Sequence, residues 1–346
     1  MKSNNNSSLI LKKFDYSLPE NLIAKYPARP RDSAKLLVYI RKTDQVFFDK
    51  FYNINKYLPQ NSIIVMNDTR VIPARFSLKK ITGGKVEALF IRKDYDKIVV
   101  ILNKKASIGS TLILNEKYAF EISSSEGKYF KLKPNFDSES IFKILDKYGK
   151  MPVPKYIKAN FQESKLRIDY QTVFAKKDGS IAAPTASLHF TNRCINKLIK
   201  DRFQREFVTL HVNEGTFAPV TDQNFVSKSL HKEYFSIDRS TAKKLTDAKK
   251  RGMKIIAVGT TVTRTLESAC IKGQLTKLSG QTDLFIQESD TLQFTDMLIT
   301  NFHLPKSSLM MLVSAFIGRH KLLELYRQAI KNEFKFYSFG DAMLIV

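Results

Sequence analysis

The spacing of hydrophobic residues divides this chain into regions of different secondary structure. Apolar runs at residues 36–40 and 62–66 have the length of buried strands, and Pro-containing loops separate them. Between about residue 73 and residue 134 the pattern becomes a series of short strand-like segments joined by glycine-containing turns. These segments are predicted at residues 75–81, 85–92, 97–103, 111–114, 118–123 and 128–133. Short strands at this spacing, with no helix between them, predict a small β-barrel.

Helical spacing appears at residues 138–148 and dominates the second half of the chain. A Met-Pro-Val-Pro segment at 151–154 marks a boundary, because proline is excluded from helix and sheet interiors. Beyond it, strands and helices alternate, which is typical of an α/β sheet. The strands are predicted at 207–212, 254–258, 283–286 and 297–300, and the helices at 241–251, 262–271, 307–317 and 321–334. We therefore predict an α/β fold with an inserted all-β barrel: a discontinuous α/β domain of residues 1–72 and 152–346, and a β-barrel domain of residues 73–151.

Charge adds a candidate class of partner. The 57 Lys and Arg residues against 33 Asp and Glu residues give a net charge of +24, and such a field attracts polyanions such as nucleic acid. A general bias towards Lys and Asn explains the excess equally well, so charge alone does not identify a function. The two cysteines are far apart, which excludes a disulfide framework and fits a reducing cytoplasm. No apolar run approaches the ~20 residues of a membrane span, and the polar start is unlike a signal peptide.

Polar clusters that follow or interrupt apolar runs are the candidates for chemistry, because loop residues at strand ends meet ligands. The first cluster runs from Asn67 to Arg70, with Arg75 close behind, although a capped turn explains it when it is taken alone. A second places Lys85 and Glu87 on one strand face after a Gly-Gly hairpin turn. A third, at residues 179–191, combines small residues with His189 and with a Thr suited to capping a helix.

Three further clusters lie in the α/β region. His211 follows a strand, and Gly215 and Thr216 come shortly after it. The segment 258–264 offers backbone amides and hydroxyls at a helix start, where an anion binds well. The segment 298–307 exposes a polar group just before an apolar helix. A lone histidine is more often a structural residue than a base, so no cluster identifies a reaction by itself.

Several familiar site types are excluded by spacing. The P-loop pattern, a G-x-G-x-x-G after a strand and the G-x-S-x-G elbow are all absent from the sequence. The histidines have no Cys or carboxylate partners at zinc-ligand spacing. From the residues alone, the chain is a basic α/β protein with a cleft for an anion or a polar ligand.

Taken in order, the clusters resemble those of the S-adenosylmethionine:tRNA ribosyltransferase-isomerase family of the queuosine pathway, and the resemblance runs from residue 14 to residue 345. The matching stretches are residues 14–19, 67–75, 82–87, 182–191, 259–261 with 264–267, 299–306 and 339–343. The resemblance implies a discontinuous α/β domain, the catalytic one, with an inserted β-barrel. It also implies an enzyme that transfers and isomerises the ribosyl part of S-adenosylmethionine onto 7-aminomethyl-7-deazaguanine at the tRNA wobble position. The products are epoxyqueuosine-tRNA, adenine and methionine.

The same resemblance sets the expected partners. S-adenosylmethionine is a co-substrate, and neither a cofactor nor a metal is expected. The RNA substrate is tRNA with a GUN anticodon, and the protein is expected to be a cytoplasmic monomer that does not bind membranes.

The reaction needs a base beside the sulfonium and an acid for the departing adenine, roles that suit histidine with a near-neutral pKa. We predict that the catalytic groups are His189, His211 and His303, with Asp68 as an orienting or alternate acid–base group. The methionine carboxylate or an RNA phosphate is expected at Gly259, Thr260, Thr261 and Arg264. The tRNA backbone is expected at Arg70, Arg75 and Lys306. The other predicted substrate-binding residues are Asn67, Thr69, Gly83, Gly84, Lys85, Glu87, Thr185, Thr191, Gly215, Thr216, Glu267 and Asn301.

Two segments depart from the family pattern. Where family members have a basic residue after Gly-Thr-Phe this chain has Ala218, so no phosphate contact is expected there. Residues 287–294 lack the usual Pro-Gly, so contacts from that loop are not carried over. Two alternatives stay open: an S-adenosylmethionine-dependent RNA methyltransferase, against which the missing Gly-rich turn argues, and a non-catalytic RNA-binding protein.

Overall fold

The structure is a computed structural model that describes residues 6–154, 156–157, 162–217 and 219–346. The strands are β1 (Lys35–Ile40), β2 (Gln45–Lys50), β3 (Ser62–Asn67), β4 (Thr69–Val71), β5 (Arg75–Lys80), β6 (Lys85–Asp94), β7 (Lys97–Leu102), β8 (Thr111–Ile113), β9 (Ala119–Glu126), β10 (Tyr129–Pro134), β11 (Lys177–Ser180), β12 (Gln204–Leu210), β13 (Ser229–Ser236), β14 (Lys254–Val258), β15 (Cys270–Ile271), β16 (Gln274–Leu275), β17 (Ser279–Leu284), β18 (Met297–Asn301) and β19 (Ala342–Ile345). The α-helices are α1 (Asn6–Lys12), α2 (Ile141–Tyr148), α3 (Glu163–Asp169), α4 (Asn192–Lys200), α5 (Asp222–Ser227), α6 (Arg239–Lys250), α7 (Thr260–Ala269), α8 (Ser308–Ile317) and α9 (Arg319–Lys331).

The chain forms two compact units. The α/β unit comprises Met1–Thr69, Thr172–Ala175 and Pro184–Val346, and the barrel unit comprises Arg70–Gln171 and Lys176–Ala183. The barrel unit extends beyond the predicted domain of residues 73–151 because α3 is fastened to α2: Arg167 forms an ion pair with Asp146 (3.2 Å) and donates to the carbonyl of Gly149 (2.8 Å). The predicted division into a catalytic and a barrel domain stays a prediction.

The barrel unit contains a closed antiparallel barrel in the order β10-β7-β6-β5-β8-β9, which confirms the strand-only region expected from the sequence. Alternate residues of each strand point inwards and form the core, among them Phe76, Leu78, Val86, Ala88, Phe90 and Ile98. Helix α2 adds Ile141 and Leu145 to that core. Gly83 lies in the β5–β6 turn with a φ of +88°, a left-handed conformation that glycine adopts without strain.

The α/β unit is built on a mixed sheet in the order β17-β13-β12-β3-β14-β18-β19-β1-β2. Strands β12, β3, β14 and β18 are parallel to their neighbours within this group. Every residue of β3 and of β18 is buried, as expected for strands covered on both faces. Strand β19 lies between β18, to which it is antiparallel, and β1, to which it is parallel. The α/β class with an inserted barrel is therefore confirmed.

This topology positions a site. Because β12, β3, β14 and β18 run in the same direction, their carboxyl ends meet at one edge of the sheet, the usual ligand position in open α/β sheets. The segments that leave this edge begin at His211, Asp68, Gly259 and Phe302. No helix in the described part of the chain is both long and apolar enough to cross a membrane.

Candidate active site at the carboxyl edge of the sheet

Asn67 joins the ends of two neighbouring strands. Its side-chain amide donates to the carbonyl of Leu210 (3.0 Å), and its Oδ1 accepts from the backbone N–H groups of Leu210 and Thr69 (3.1 Å each). The side chain is fully buried, so these hydrogen bonds hold the end of β3 next to the end of β12. Contact between Asn67 and substrate stays a prediction.

His211 is held beside the end of β3. Its Nδ1 lies 2.8 Å from Oγ1 of Thr69, and its ring stacks on Tyr234 with the ring centroids 5.9 Å apart. The neighbouring Asp68 is buried and accepts a hydrogen bond from Thr209 (2.6 Å). The predicted acid–base groups Asp68 and His211 are therefore both oriented by neighbours on β12, β4 and β13.

His189 is buried beside the end of β18. Its Nε2 lies 3.3 Å from the side-chain amide nitrogen of Asn301, and its ring packs against Phe51 with 5.0 Å between centroids. An amide nitrogen only donates, so Nε2 accepts and a neutral imidazole carries its proton on Nδ1. Burial, helped by the charge of Arg31, lowers the pKa of His189 to about 4.

His303 follows β18 and is also buried. Its Nε2 lies 2.8 Å from Oγ1 of Thr300, its backbone N–H donates to the Tyr326 hydroxyl (2.9 Å), and its carbonyl accepts from Tyr16. Burial lowers the pKa of His303 to about 3. The near-neutral pKa expected from the sequence is therefore wrong for His189 and His303, because both imidazoles are removed from water and the charged form loses its solvation.

The histidines form two groups along the edge. His189 lies against Asn301 and His303 against Thr300, both at the end of β18, whereas His211 lies at the end of β12, with β3 and β14 in between. At the usual strand separation, three steps across the sheet correspond to roughly 14 Å. The ends of β3 and β14 lie between the two groups.

Unsatisfied polar atoms lie in the wall of this edge. Gly259 has a φ of +93°, and a Cβ placed there would lie 3.7 Å from Ala186, so the turn Thr185–His189 packs beside the start of α7. Buried oxygens of Ser187, Thr261 and Asn301 find no hydrogen-bond partner among the described residues. Buried polar atoms are normally satisfied, so these three oxygens are available to a ligand or to water.

Arg264 is engaged within the protein. Its guanidinium bonds to the carboxylate of Glu233 and to the carbonyl of Leu284 (3.2 Å), and the second Glu233 oxygen accepts from the backbone N–H of Asn213 (2.9 Å). Arg264 and Glu233 are both buried. The sequence did not indicate this partner, because Glu233 is 31 positions away on β13. Anion binding by Arg264 stays a prediction, and its charge is already paired.

Glu267 fastens the loop that departs from the family pattern. Its carboxylate accepts from the backbone N–H groups of Gln293 (2.7 Å), Phe294 (3.1 Å) and Thr295 (2.8 Å). Glu267 therefore positions the end of the 287–294 segment, and its predicted substrate contact stays a prediction.

Gly215 packs directly against His231, because a Cβ at this glycine would lie 2.3 Å from the histidine side chain. The glycine is required by this close approach, a reason that the sequence did not reveal. The side chain of Thr216 and the whole of Ala218 lie outside the described residues.

The cluster around Thr191 includes a carboxylate that the sequence analysis missed. Thr191 caps α4 by accepting from the N–H of Cys194 (3.1 Å), as expected, and donates to Asp32 (2.6 Å). Asp32 is fully buried and also pairs with Arg193 (2.7 Å). The sequence feature that could have indicated Asp32 is its position in a basic, Pro-rich loop. Thr185 begins the 3-10 turn Thr185–His189 that carries the buried histidine.

The remaining predicted substrate-binding residues are not among the buried residues described above. Lys306, in the α/β unit, forms an exposed ion pair with Asp15 (2.7 Å). The others belong to the barrel unit: Arg70 pairs with Asp178, Arg75 begins β5 and is exposed, Gly83 and Gly84 form the β5–β6 turn, and Lys85 lies 3.9 Å from Glu87. The structure therefore assembles the predicted histidines with Asn67, Asp68, Thr69, Gly259 and Asn301 at the sheet edge.

Fold and site together define an α/β protein with a cluster of buried polar residues, the candidate ligand site, at the carboxyl edge of its sheet. The family described as queuosine biosynthesis protein matches residues 11–345, and the chain belongs to this family. It is 43% identical over 344 residues to the S-adenosylmethionine:tRNA ribosyltransferase-isomerase of Carboxydothermus hydrogenoformans, covering 97% of this chain and 99% of that one. The protein of the same name from Aquifex aeolicus is 42% identical over 341 residues, with 97% and 99% covered.

Similarity extends to a solved structure. The crystal structure of S-adenosylmethionine tRNA ribosyltransferase from Thermotoga maritima aligns with a TM-score of 0.55 at 32% sequence identity. The alignment covers 96% of this chain and all of that one.

Proposed function

We propose that this protein transfers and isomerises the ribosyl moiety of S-adenosylmethionine onto 7-aminomethyl-7-deazaguanine at the tRNA wobble position, with release of adenine and methionine. The observation that carries the proposal is that polar residues from four of the matching stretches, 67–75, 182–191, 259–261 and 299–306, meet at one sheet edge, although 234 positions separate Asn67 from Asn301. Full-length similarity to relatives with this activity in their names supports it.

The buried histidines suit proton transfer in this reaction. The sulfonium acidifies the neighbouring ribose carbon, and a neutral imidazole can accept the proton that leaves it. An imidazole whose pKa is about 4, as for His189, becomes a strong acid once protonated. The same imidazole can therefore pass the proton to the departing adenine. The proton taken from the ribose carbon then leaves on adenine, and no other proton donor is needed. We assign this exchange to the group of His189 and His303, and place His211 with Asp68 at the far end of the ligand.

The finer partners are part of the proposal. The substrate is tRNA with a GUN anticodon, and S-adenosylmethionine is consumed as a co-substrate without a further cofactor or metal. The protein acts as a monomer in the cytoplasm, where its tRNA is found. The hydroxyl and amide oxygens of Ser187, Thr261 and Asn301 are available for the donor's polar groups.

A labelling experiment tests the proposal. The protein is incubated with tRNA that carries the aminomethyl deazaguanine and with donor labelled either in the ribose or in the methyl group. We expect ribose label in the RNA, free adenine, and methyl label in methionine only. Unmodified tRNA with guanine at the wobble position is the control and should take up no label.

Other outcomes identify the alternatives. Methyl label in the RNA would support an RNA methyltransferase and contradict the proposal. Binding of tRNA without transfer of either label would support a non-catalytic RNA-binding protein.

A further inference from the structure

One end of the barrel carries a group of five lysines. The lysine rim, as we call it, consists of Lys79, Lys80, Lys85, Lys104 and Lys105, which lie at the end of β5, the start of β6 and the loop after β7. The side-chain ammonium of Lys80 donates to the carbonyl of Lys105 (2.9 Å), which brings the β5–β6 turn and the β7–β8 loop together.

The arrangement of the rim is unfavourable for the isolated protein. Lys79 is directly opposite Lys85 in the β5–β6 ladder, and both side chains are exposed. Like charges in this cross-strand position destabilise a sheet. The nearest carboxylate, Glu87, lies 3.9 Å from Lys85 and also bonds to Ser77. No ion pair with a carboxylate is formed by Lys79, Lys104 or Lys105 within the described residues.

The opposite end of the barrel is built differently. There Lys93 forms an ion pair with Glu139, and Lys131 pairs with Asp94 (2.7 Å). The 3-10 turn before α2 also lies at that end, because Ser138 donates to the carbonyl of Tyr95 (3.1 Å) in the β6–β7 turn. Two lysines at that end therefore have carboxylate partners, whereas Lys79, Lys104 and Lys105 at the rim have none among the described residues.

We propose that the lysine rim binds the phosphodiester backbone of tRNA, an inference that rests on the proposed function. Phosphate groups supply the negative charge that the rim lacks, and lysine side chains bind them as mobile point charges. Gly83 and Gly84 leave the second half of the turn between Lys80 and Lys85 without side chains, so an RNA backbone can approach these two residues closely. The exposed Ile81 and Ile108 lie in the same two loops and contact sugar or base surfaces.

The test compares two variants that lose the same charge. The rim variant carries Lys79→Ala, Lys85→Ala and Lys105→Ala. The control variant carries Lys97→Ala, Lys143→Ala and Lys147→Ala, on β7 and α2 at the other end. All six side chains lie at or near the surface, so both variants should fold, which thermal unfolding by circular dichroism checks.

Binding of fluorescent unmodified tRNA is measured by anisotropy at several salt concentrations. We expect the rim variant to bind more weakly and the slope of log Kd against log salt to fall by about one for each lysine that contacts a phosphate. The control variant should keep the wild-type slope. Equal losses in both variants, or none in the rim variant, would overturn the inference.

The outcome is separable from that of the proposed function. If the wild type binds tRNA and transfers ribose label, but the rim variant binds equally well, only the rim inference fails. If the wild type binds no tRNA, both fail. Loss of binding to anionic phospholipid vesicles in the rim variant, with tRNA affinity unchanged, would assign the rim to a membrane surface and contradict the inference.

Discussion

The sheet edge and the lysine rim use polar groups in opposite ways. At the sheet edge, the side chains of Asn67, His189 and His303 are buried and oriented by hydrogen bonds. At the rim, Lys79 and Lys85 lie opposite each other in water. Burial fixes direction and protonation state over a few ångströms, whereas exposed charge acts over a Debye length of about 10 Å. The difference indicates that the edge is suited to chemistry and the rim to attracting a large anion.

The largest expected effect is on the rate at the sheet edge. His189→Ala and His303→Ala should each lower the single-turnover rate of ribosyl transfer by roughly 10²- to 10⁴-fold, because each removes a proton acceptor. His320→Ala, on the exposed side of α9, is the matched control and should keep the wild-type rate. Wild-type rates in both buried-histidine variants would contradict the assignment of proton transfer to His189 and His303.

The buried ion pair should dominate stability. Arg264→Met leaves the Glu233 carboxylate buried without its partner and should lower the free energy of unfolding by about 3–5 kcal/mol in urea denaturation. Lys306→Met breaks an exposed pair instead and should cost no more than about 1 kcal/mol. Adding Glu233→Leu to Arg264→Met should recover much of the loss, and failure to do so would mean that Arg264 acts through other contacts.

The neutral histidines make stability depend on pH. Their pKa values in the folded protein, about 4 and about 3, lie below the unfolded value of 6.5, so the unfolded chain binds more protons as pH falls. The free energy of unfolding should therefore be highest above pH 6.5. It should decrease by roughly 2 kcal/mol for each of the two histidines as the pH falls to about 5. His189→Gln should reduce this slope by about half. An unchanged slope would contradict the assignment of a buried neutral imidazole.

The smallest effect compares two glycines. Gly215→Ala forces a methyl group into His231 and should cost about 1–3 kcal/mol of unfolding free energy. Gly84→Ala, where the nearest atom is Lys80 Cδ at 3.8 Å, should change stability by less than about 0.5 kcal/mol. Similar losses at both positions would weaken the contrast between a tightly packed edge and an open barrel turn.

Periodicity was sufficient for much of the fold. The predicted strand at 254–258 matches β14, and the barrel strands agree within a few residues, because alternating burial leaves a clear pattern. Strand β2 was missed because it lies at the sheet edge and carries mixed polar residues. Strand β19 was not predicted, since a strand of four residues leaves too short a pattern to detect a period.

The site was less accessible to sequence reasoning than the fold. The ordered motifs identified the histidines, but the partners that set their chemistry are remote in sequence, such as Asn301 for His189. Burial by distant segments also lowers their pKa values, which local sequence does not reveal. Arg264 is the clearest case, because its motif suggested a ligand contact and its distant partner Glu233 pairs the charge inside the protein.

The place of β19 in the sheet has a consequence for synthesis. In the sheet, β1 and β2 are connected to β18 only through β19. Strands β1 and β2 are synthesised early, but residues 342–345 of β19 are translated some 300 positions later. Until then the hairpin of β1 and β2 has an unpaired edge, and such an edge can pair with another chain. Limited proteolysis of a chain ended at residue 341 should cut within β1–β2, and resistance there would show that the hairpin is held by other contacts.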